Sequence, residues 1–407
     1  MVARFSTRAA ASKSGLSLAT SMPVESLKEL FQQEFAKMVA VISNLFGLEH
    51  IETAEDIASD TFLTAAEEWE AKGMPPNPTA WLYTVAKRKT IHLFRRRDIF
   101  ERKIIPAIRA TAGQEDDTAA FEIDFSPQHI RDSQLQMLFA VCTPAIVSEA
   151  QIGLALRILC GFGIDEIAEA FLTNKETINK RLFRAKEKLR TAEIKVDLPP
   201  PNEIPARLDN VLHIIYLLFS EGYYSQTRNR VLQKELCWEA IRLGVLLTEY
   251  EGTNQPKTNA LLALMCFHSS RFDARQPREA ERPGEDDVIL YDQQDERLWD
   301  TDLIHRGMQY LALSAIGDQL SSYHLEARIA SLHCIKEDTP EKWEEILQLY
   351  NQLLMINYSP GVALNRTFAL YKANGREQAL IELEKLKLEG NHFYNVLRDY
   401  LRKLPPH

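Results

Sequence analysis

The stretch from Gly161 to Leu182, GFGIDEIAEAFLTNKETINKRL, constrains this chain more than any other. Ile167, Ala168 and Phe171 recur at helical spacing, Leu172–Asn174 interrupt the pattern, and Ile178, Leu182, Ala185 and Leu189 resume it. A short apolar-faced helix, a tight turn and a second helix with its bases outward is the arrangement that sets a recognition helix in the major groove of duplex DNA. On that second helix Lys175, Glu176, Thr177, Asn179 and Lys180 fall near the end that meets base edges. Arg181, Arg184 and Lys188 fall where phosphates run, contributing salt-dependent affinity without sequence choice. A basic helical hairpin serving only as scaffold has the same pattern, so a second feature has to decide.

That feature lies upstream, at Asn77–Arg97, NPTAWLYTVAKRKTIHLFRRR. At about 100° per residue, Leu82, Val85, Ala86 and Leu93 share one side of a helix. Thr84, Lys87, Arg88, Ile91 and Arg95 share the opposite side, and Arg95, Arg96 and Arg97 close the segment. One side can pack while the other meets polyanion and, through Trp81, Tyr83 and Phe94, unstacked bases. Alone, this stretch is equally a packed helix with a solvated charged face. Before it, the loop KGMPPNP (72–78) is stiffened by its three prolines and holds a shape.

The whole chain of 407 residues has a net charge of −9, which taken overall argues against nucleic acid. The bases are concentrated, however. Nine lie between Trp81 and Ala110 against the two acids Asp98 and Glu101, and seven lie between Lys175 and Arg190 against Glu176 and Glu187. Local basic clusters in an acidic protein point to focused sites. The length predicts several domains, and no apolar run reaches the roughly 18 residues of a membrane span. The five cysteines are far apart with no CxxC pair, which speaks against a disulfide framework or zinc site and fits reduced thiols in a cytosol.

Residues 1–22 are rich in Ala, Ser and Thr and lack acids, the composition of a disordered tail or a transit peptide. Pro23 to Gly47 is predicted helical from Leu27, Leu30, Phe31, Phe35, Met38, Val39, Ile42 and Phe46. A second helix is expected to open at Thr53 as N-cap, with Asp56 three residues on, and to run to Glu70. Its outer face, Glu55, Asp56, Asp60, Glu67 and Glu68, is either solvated or a dock for a basic protein surface. Residues 110–127 lose periodicity and turn acidic, and LPPP at Leu198–Pro201 marks a second linker.

Leu27 to Arg190 resembles the extracytoplasmic-function sigma factors, which recruit bacterial RNA polymerase to promoters. The matching phrases are AEDIASDTFLTAAEEW (Ala54–Trp69), NPTAWLYTVAKRKTIHLFRRR (Asn77–Arg97) and the block from Leu138 to Arg190. His92 stands where that family usually has Asp. The resemblance implies docking on core RNA polymerase (β′ clamp and β subunit) through Glu55, Asp56, Asp60 and Phe62. It also implies promoter DNA as a partner. Trp81, Tyr83, Thr84, Lys87, Arg88 and Ile91 would line the melted minus-ten strand, with Arg95 and Arg96 on phosphate. Lys175, Glu176, Thr177, Asn179, Lys180, Arg181, Arg184 and Lys188 would meet the minus-thirty-five duplex.

The carboxy-terminal half is predicted to be a run of amphipathic helices from Arg207 to Arg402, broken by a polar insert at Arg271–Asp300. In TPEKWEEILQLYNQLLMINYSPGVALNRTFALYKANG, Trp343, Leu347, Ala363 and Phe368 have the spacing of tetratricopeptide pairs. Together with RLDNVLHIIYLLFSEGYYSQ, LLALMCFHSSR and YDQQDERLWD, this half resembles the extension of one sigma-factor group, which implies a regulatory role through a partner protein or an intramolecular contact. Glu221, Tyr223, Tyr224, Asp292, Asp295 and Trp299 read as buried polar packing, since no HExxH, GxSxG or phosphate loop accompanies them.

The expected architecture is therefore all-α. It comprises a tail (1–22), a region 2 domain (23–109), an acidic linker (110–129), a region 4 helix-turn-helix domain (130–195), a proline-rich linker (196–206) and a tetratricopeptide-like extension (207–407). The expected function is an alternative sigma factor of the bacterial cytoplasm, with no catalysis, cofactor, metal or membrane contact of its own. The competing readings are a helix-turn-helix regulator with a partner-binding repeat domain, and a protein-binding scaffold.

Overall fold

In the computed structural model, residues 24–96, 123–224, 230–275 and 294–403 are described; all regular structure among them is helical. The chain divides into two units, the first extending through Leu217 and the second beginning at Leu218 (with Leu232 counted to the first). Among the described residues no helix is long and apolar enough to cross a membrane.

The first unit is built around α1 (Val24–Phe46), whose Phe35, Met38, Val39 and Ile42 are wholly buried. Gly47, at φ 88°, ends it in a conformation L side chains rarely adopt. A 3-10 turn, Leu48–His50, then feeds directly into α2 (Ile51–Lys72). The helix thus starts before Thr53, with His50 at the N-cap position and no side-chain cap. Burial of Leu48 and Ile51 pulls its start upstream. Gly73 terminates α2, its N–H donating to Trp69 O at 2.9 Å. After the short proline loop, Asn77 Oδ1 accepts from Ala80 N at 3.0 Å and opens α3 (Pro78–Arg96).

α4 (Pro127–Val141) opens inside the stretch expected to be linker (110–129), because Ser126 caps it by accepting from His129 N at 3.3 Å and Pro127 takes the first turn. α5 (Ser148–Leu154) runs into a π turn, Ala155–Leu159, where one extra residue is inserted into the helical ladder. α6 (Ile164–Ala170) and α7 (Lys175–Thr191) form the expected hairpin. Leu172 takes φ 48° in the turn, and Asn174 Oδ1 caps α7 by accepting from Thr177 N at 2.8 Å. Ile178, Leu182, Ala185 and Leu189 are buried, as their spacing requires.

α1 packs against α2, α3, α4 and the π turn, so the helices at 24–96 and those at 127–191 share one core. Asn44 Nδ2 donates to Gln136 and to Ser133 Oγ across that junction. α8 (Ile204–Tyr223) opens in this unit: Arg207 donates to Phe139 O at 2.8 Å, and Asn210 to Cys142 O and Gln151 Oε1.

In the second unit α10 (Pro256–Ser270), preceded by α9 (Arg230–Thr248), is buried around its whole circumference from Thr258 to Phe267. Such a helix is stable only when surrounded, and α11 (Thr301–Ser314) and α12 (Ser322–Leu332) pack on it. Gly307 permits the closest approach, since a Cβ there would sit 2.7 Å from the Phe267 ring. α13 (Pro340–Ile356) and α14 (Pro360–Asn374) pair around Trp343, Ile346, Leu347 and Leu370. α15 (Arg376–Lys385) and α16 (His392–Lys403) close a smaller core on Leu383, Tyr394 and Leu401. Within the polar insert, Arg271 is buried and Trp299 is 9% exposed. Tyr223 lies between the His268 ring (4.6 Å) and the Arg275 guanidinium (4.1 Å). Burial, then Arg271 and Arg275, hold the His268 imidazole well below its ordinary value. Asp292 lies outside the described residues.

Candidate nucleic-acid interface

α3 buries Leu82, Ala86 and Thr90 completely, which fixes the rotation of every other side chain on it. Thr84, Arg88 and His92 form an exposed stripe. Tyr83, Lys87 and Ile91 form an adjacent stripe, each partly covered. Tyr83 stacks on Phe125 with ring centroids 4.8 Å apart and planes 12° from parallel. Ile91 packs with Tyr83 and Phe125 on the cluster of Val41, Ile123 and Ile130. The Tyr83 hydroxyl donates to the buried Glu34 carboxylate, which also holds Lys37 at 2.9 Å. Burial first, and then Glu34, push that hydroxyl far above the ordinary tyrosine value. Trp81 meets the buried Trp69 edge-on at 5.2 Å. The backbones of Arg95 and Arg96 end the helix; their side chains lie outside the described residues.

On α7, Glu176, Thr177, Asn179, Lys180, Arg184 and Lys188 are exposed. Lys175, also exposed, pairs with Asp165 at 2.5 Å. Arg181 is half-buried over the Phe171 ring at 5.4 Å. The helix therefore presents Lys180, Arg184 and Lys188 as exposed bases on its outer side.

The acidic face of α2 divides in the same way. Asp56 is exposed and Asp60 pairs with Lys89. Phe62 is 2% exposed, edge-on to Phe31 at 5.0 Å. Glu55 is 7% exposed and held by two cations from the helix-turn-helix half, Arg157 Nε at 2.9 Å and Lys186 Nζ at 2.5 Å. The π turn aims Arg157, which also donates to Phe162 O and lies over the Phe35 ring. At the rim Arg190 reaches Glu52 at 3.5 Å. Between α2 and α7 lies a cleft of about 440 Å³, with Glu52, Glu55, Asp56 and Ser59 on one wall and Asn179, Phe183 and Lys186 on the other.

Glu34, Phe125, Arg157 and Lys186 were not among the residues singled out from the sequence. A lone arginine inside the apolar run Ile152–Cys160 was the available signal, because a cation in such a run is almost always paired. Among the described residues no cluster of His, Cys, Asp or Glu is arranged to hold a metal ion.

Comparison with known proteins places a name on part of this architecture. Residues 30–99, which span most of α1 through α3, match the sigma-70 region 2 family. Residues 207–315 match a family of unknown function, DUF6596. An uncharacterized protein of Rhizobium meliloti (strain 1021) is 32% identical over 358 residues, covering 87% of this chain and 82% of that protein. The chain belongs to the family of that Rhizobium protein. Its amino-terminal domain is a sigma-70 region 2, which supports a sigma-factor-like role in transcription initiation, with core RNA polymerase and promoter DNA as the implied partners. No solved structure matches the chain.

Proposed function

We propose that this protein is an alternative sigma factor of the extracytoplasmic-function type that carries its own regulatory extension. The observation that carries the reading is a pair of exposed faces on one chain: the Thr84–Arg88 stripe of a sigma-70 region 2, with Lys87 beside it, and the outer side of α7 with Lys180, Arg184 and Lys188. The first is suited to a single strand and the second to duplex. Asn179 and Lys180 would meet base edges of the minus-thirty-five element, while Arg184 and Lys188 would meet phosphates. Trp81, Tyr83, Thr84, Lys87, Arg88 and Ile91 would receive the melted minus-ten strand, where each base–aromatic stack is worth about 1–3 kcal/mol. That matches the few kcal/mol needed to unstack a base. Asp56 and Asp60 would meet basic residues on the polymerase clamp. The helices from α8 onward, in this reading a tetratricopeptide-like domain, would adjust sigma activity through packed helical pairs such as α13 and α14.

Run-off transcription with purified core RNA polymerase tests the proposal. The expected result is promoter-dependent transcripts that require this protein. Duplex DNA binding by the protein alone, with no transcript when core is added, would instead favour a helix-turn-helix regulator.

A further inference from the structure

In the second unit, polar groups from four helices meet around Arg271. Tyr224 follows the last turn of α8, His268 lies in the last turn of α10, and Arg271 and Arg275 come just after it. His333 ends α12 and Tyr350 lies on α13. Tyr224, where polar packing is expected, is 60% exposed. Yet burial is the first cause pushing its hydroxyl above the ordinary tyrosine value. His268, His333 and Tyr350 are half-buried, and desolvation dominates each in the same way. A side chain that solvent touches while protein surrounds it lines a concave surface. Concave surfaces with convergent polar groups and displaced titrations are where small ligands bind.

These groups share one neighbourhood. Tyr223 meets Tyr224 edge-on at 4.9 Å and the His268 ring at 4.6 Å. The Arg275 guanidinium lies over Tyr223 at 4.1 Å and is 5.8 Å from the Tyr224 ring. The charge of Arg271 acts on Tyr224, His268, His333 and Tyr350 alike. Both imidazoles are held neutral and add no charge. Glu326 faces the two tyrosines from α12, while Asp338 is engaged by Lys372 at 2.6 Å. Lys342, within reach of Arg271, donates to Ile335 O. Among the described residues no carboxylate pairs with Arg275. Two guanidiniums and an ammonium against one carboxylate leave a positive surplus in a desolvated place, which is costly unless an anion meets it. A guanidinium presents a fork of donors matched to carboxylate or phosphate, and protonated tyrosine hydroxyls donate beside it.

We propose that the second unit is a receptor for a small oxyanion, a carboxylate- or phosphate-bearing metabolite, bound by Arg271 and Arg275 with Tyr224 and Tyr350 donating to the same ligand. Binding stands apart from the sigma-factor reading. The effect of the bound anion on transcription rests on that reading, with the anion as the signal that the regulatory extension takes up.

Isothermal titration calorimetry on the full chain tests the site in two arms, inorganic phosphate with pyrophosphate and succinate with citrate, against sodium chloride at matched ionic strength. One arm is expected to saturate at one site per chain, and that arm names the group recognised. Arg275→Gln should weaken this binding about tenfold, the scale of one hydrogen bond to a charged group. Arg275→Lys should not restore it, since an ammonium lacks the fork. Arg306→Gln, at an exposed base on α11, should bind like the parent. Should Arg275→Gln fold poorly by circular dichroism, Tyr224→Phe decides, because its ring is exposed and only the donor is lost. Absence of saturable binding in both arms overturns the site, and so does parent-like affinity in the deciding variant. Run-off transcription with core polymerase is then compared with and without the anion that binds. Transcript yield is expected to change for the parent and not for the deciding variant, and binding with unchanged yield overturns the regulatory role. Saturable binding with no promoter-dependent transcript overturns the sigma reading and leaves the receptor standing.

Discussion

The phenol of Tyr83 is held on two sides at once: its ring lies parallel to Phe125 at 4.8 Å, and its hydroxyl donates to Glu34. A residue on the face expected to receive DNA is thereby also a structural joint between α1, α3 and the segment entering α4. Tyr83→Phe keeps the stack and removes the hydrogen bond to a buried carboxylate. The loss expected is about 2 kcal/mol, from the worth of hydrogen bonds to charged groups, read as a lower urea midpoint. The pH dependence has a definite sign. Because the folded hydroxyl titrates above the ordinary value of 10.0, the unfolded chain releases its proton first, and stability falls as pH rises past that value. The Phe variant should lose that part of the alkaline slope.

Glu55 provides a second stability test. Removing one partner of a buried ion pair costs about 3–5 kcal/mol, chiefly through the charge left behind. Arg157→Met leaves Glu55 with Lys186, so the lower end of that range is expected from denaturant unfolding. Lys186→Met should cost less than Arg157→Met, because the guanidinium also satisfies Phe162 O and packs on Phe35. The double variant should exceed the sum of the two, since only then is the buried carboxylate left with neither cation. Additive losses would show that the two cations stabilise independently.

The second unit should weaken in acid. Burial first, and then the charge of Arg271, lower the His333 imidazole to about 4, although its Nδ1 donates to Ile329 O at 2.9 Å. A depressed folded value means that the unfolded chain takes up the proton first, so stability is complete above the ordinary 6.5 and is lost as pH falls toward 4. At about 1.36 kcal/mol per unit, the loss is roughly 3 kcal/mol. Its ring meets Trp343 edge-on, so tryptophan emission during thermal melts between pH 7 and pH 4.5 reports the change. His333→Asn should flatten the acid slope.

Much of this fold is legible in the sequence because helical periodicity is local. The hairpin of α6 and α7, the proline turn before α3 and the run of helices after α8 all follow from spacing, caps and breakers. What the sequence does not carry is which face meets which. Glu55 belongs to an acidic outer face by periodicity, and is buried because the helix-turn-helix half packs there with two cations. Ile91 falls on the open side of α3 by the same count, and Tyr83 is expected to meet bases, yet both pack with Phe125 on Ile123, from a region without regular pattern. Tertiary partners far apart in the chain decide both cases. Thr53 is a local case: its capping signature is overridden by buried Leu48 and Ile51 just upstream.

The division of labour along α7 can be separated by salt. Arg184 and Lys188 are exposed, one turn apart, on the outer face. If each neutralises one phosphate, every contact contributes about 0.9 to the slope of log affinity against log salt concentration on duplex DNA. Arg184→Ala with Lys188→Ala should therefore reduce the slope by roughly 2 and weaken all duplexes alike. Asn179 lies further toward the capped N-terminal end of the helix, where side chains reach base edges. Asn179→Ala should leave the slope unchanged and weaken the preferred sequence alone, by about 1–3 kcal/mol for one lost base contact. Measuring both variants on a selected duplex and on a scrambled one, across a series of salt concentrations, distinguishes the two effects. An equal loss on both duplexes for Asn179→Ala would move that residue from base reading to backbone positioning.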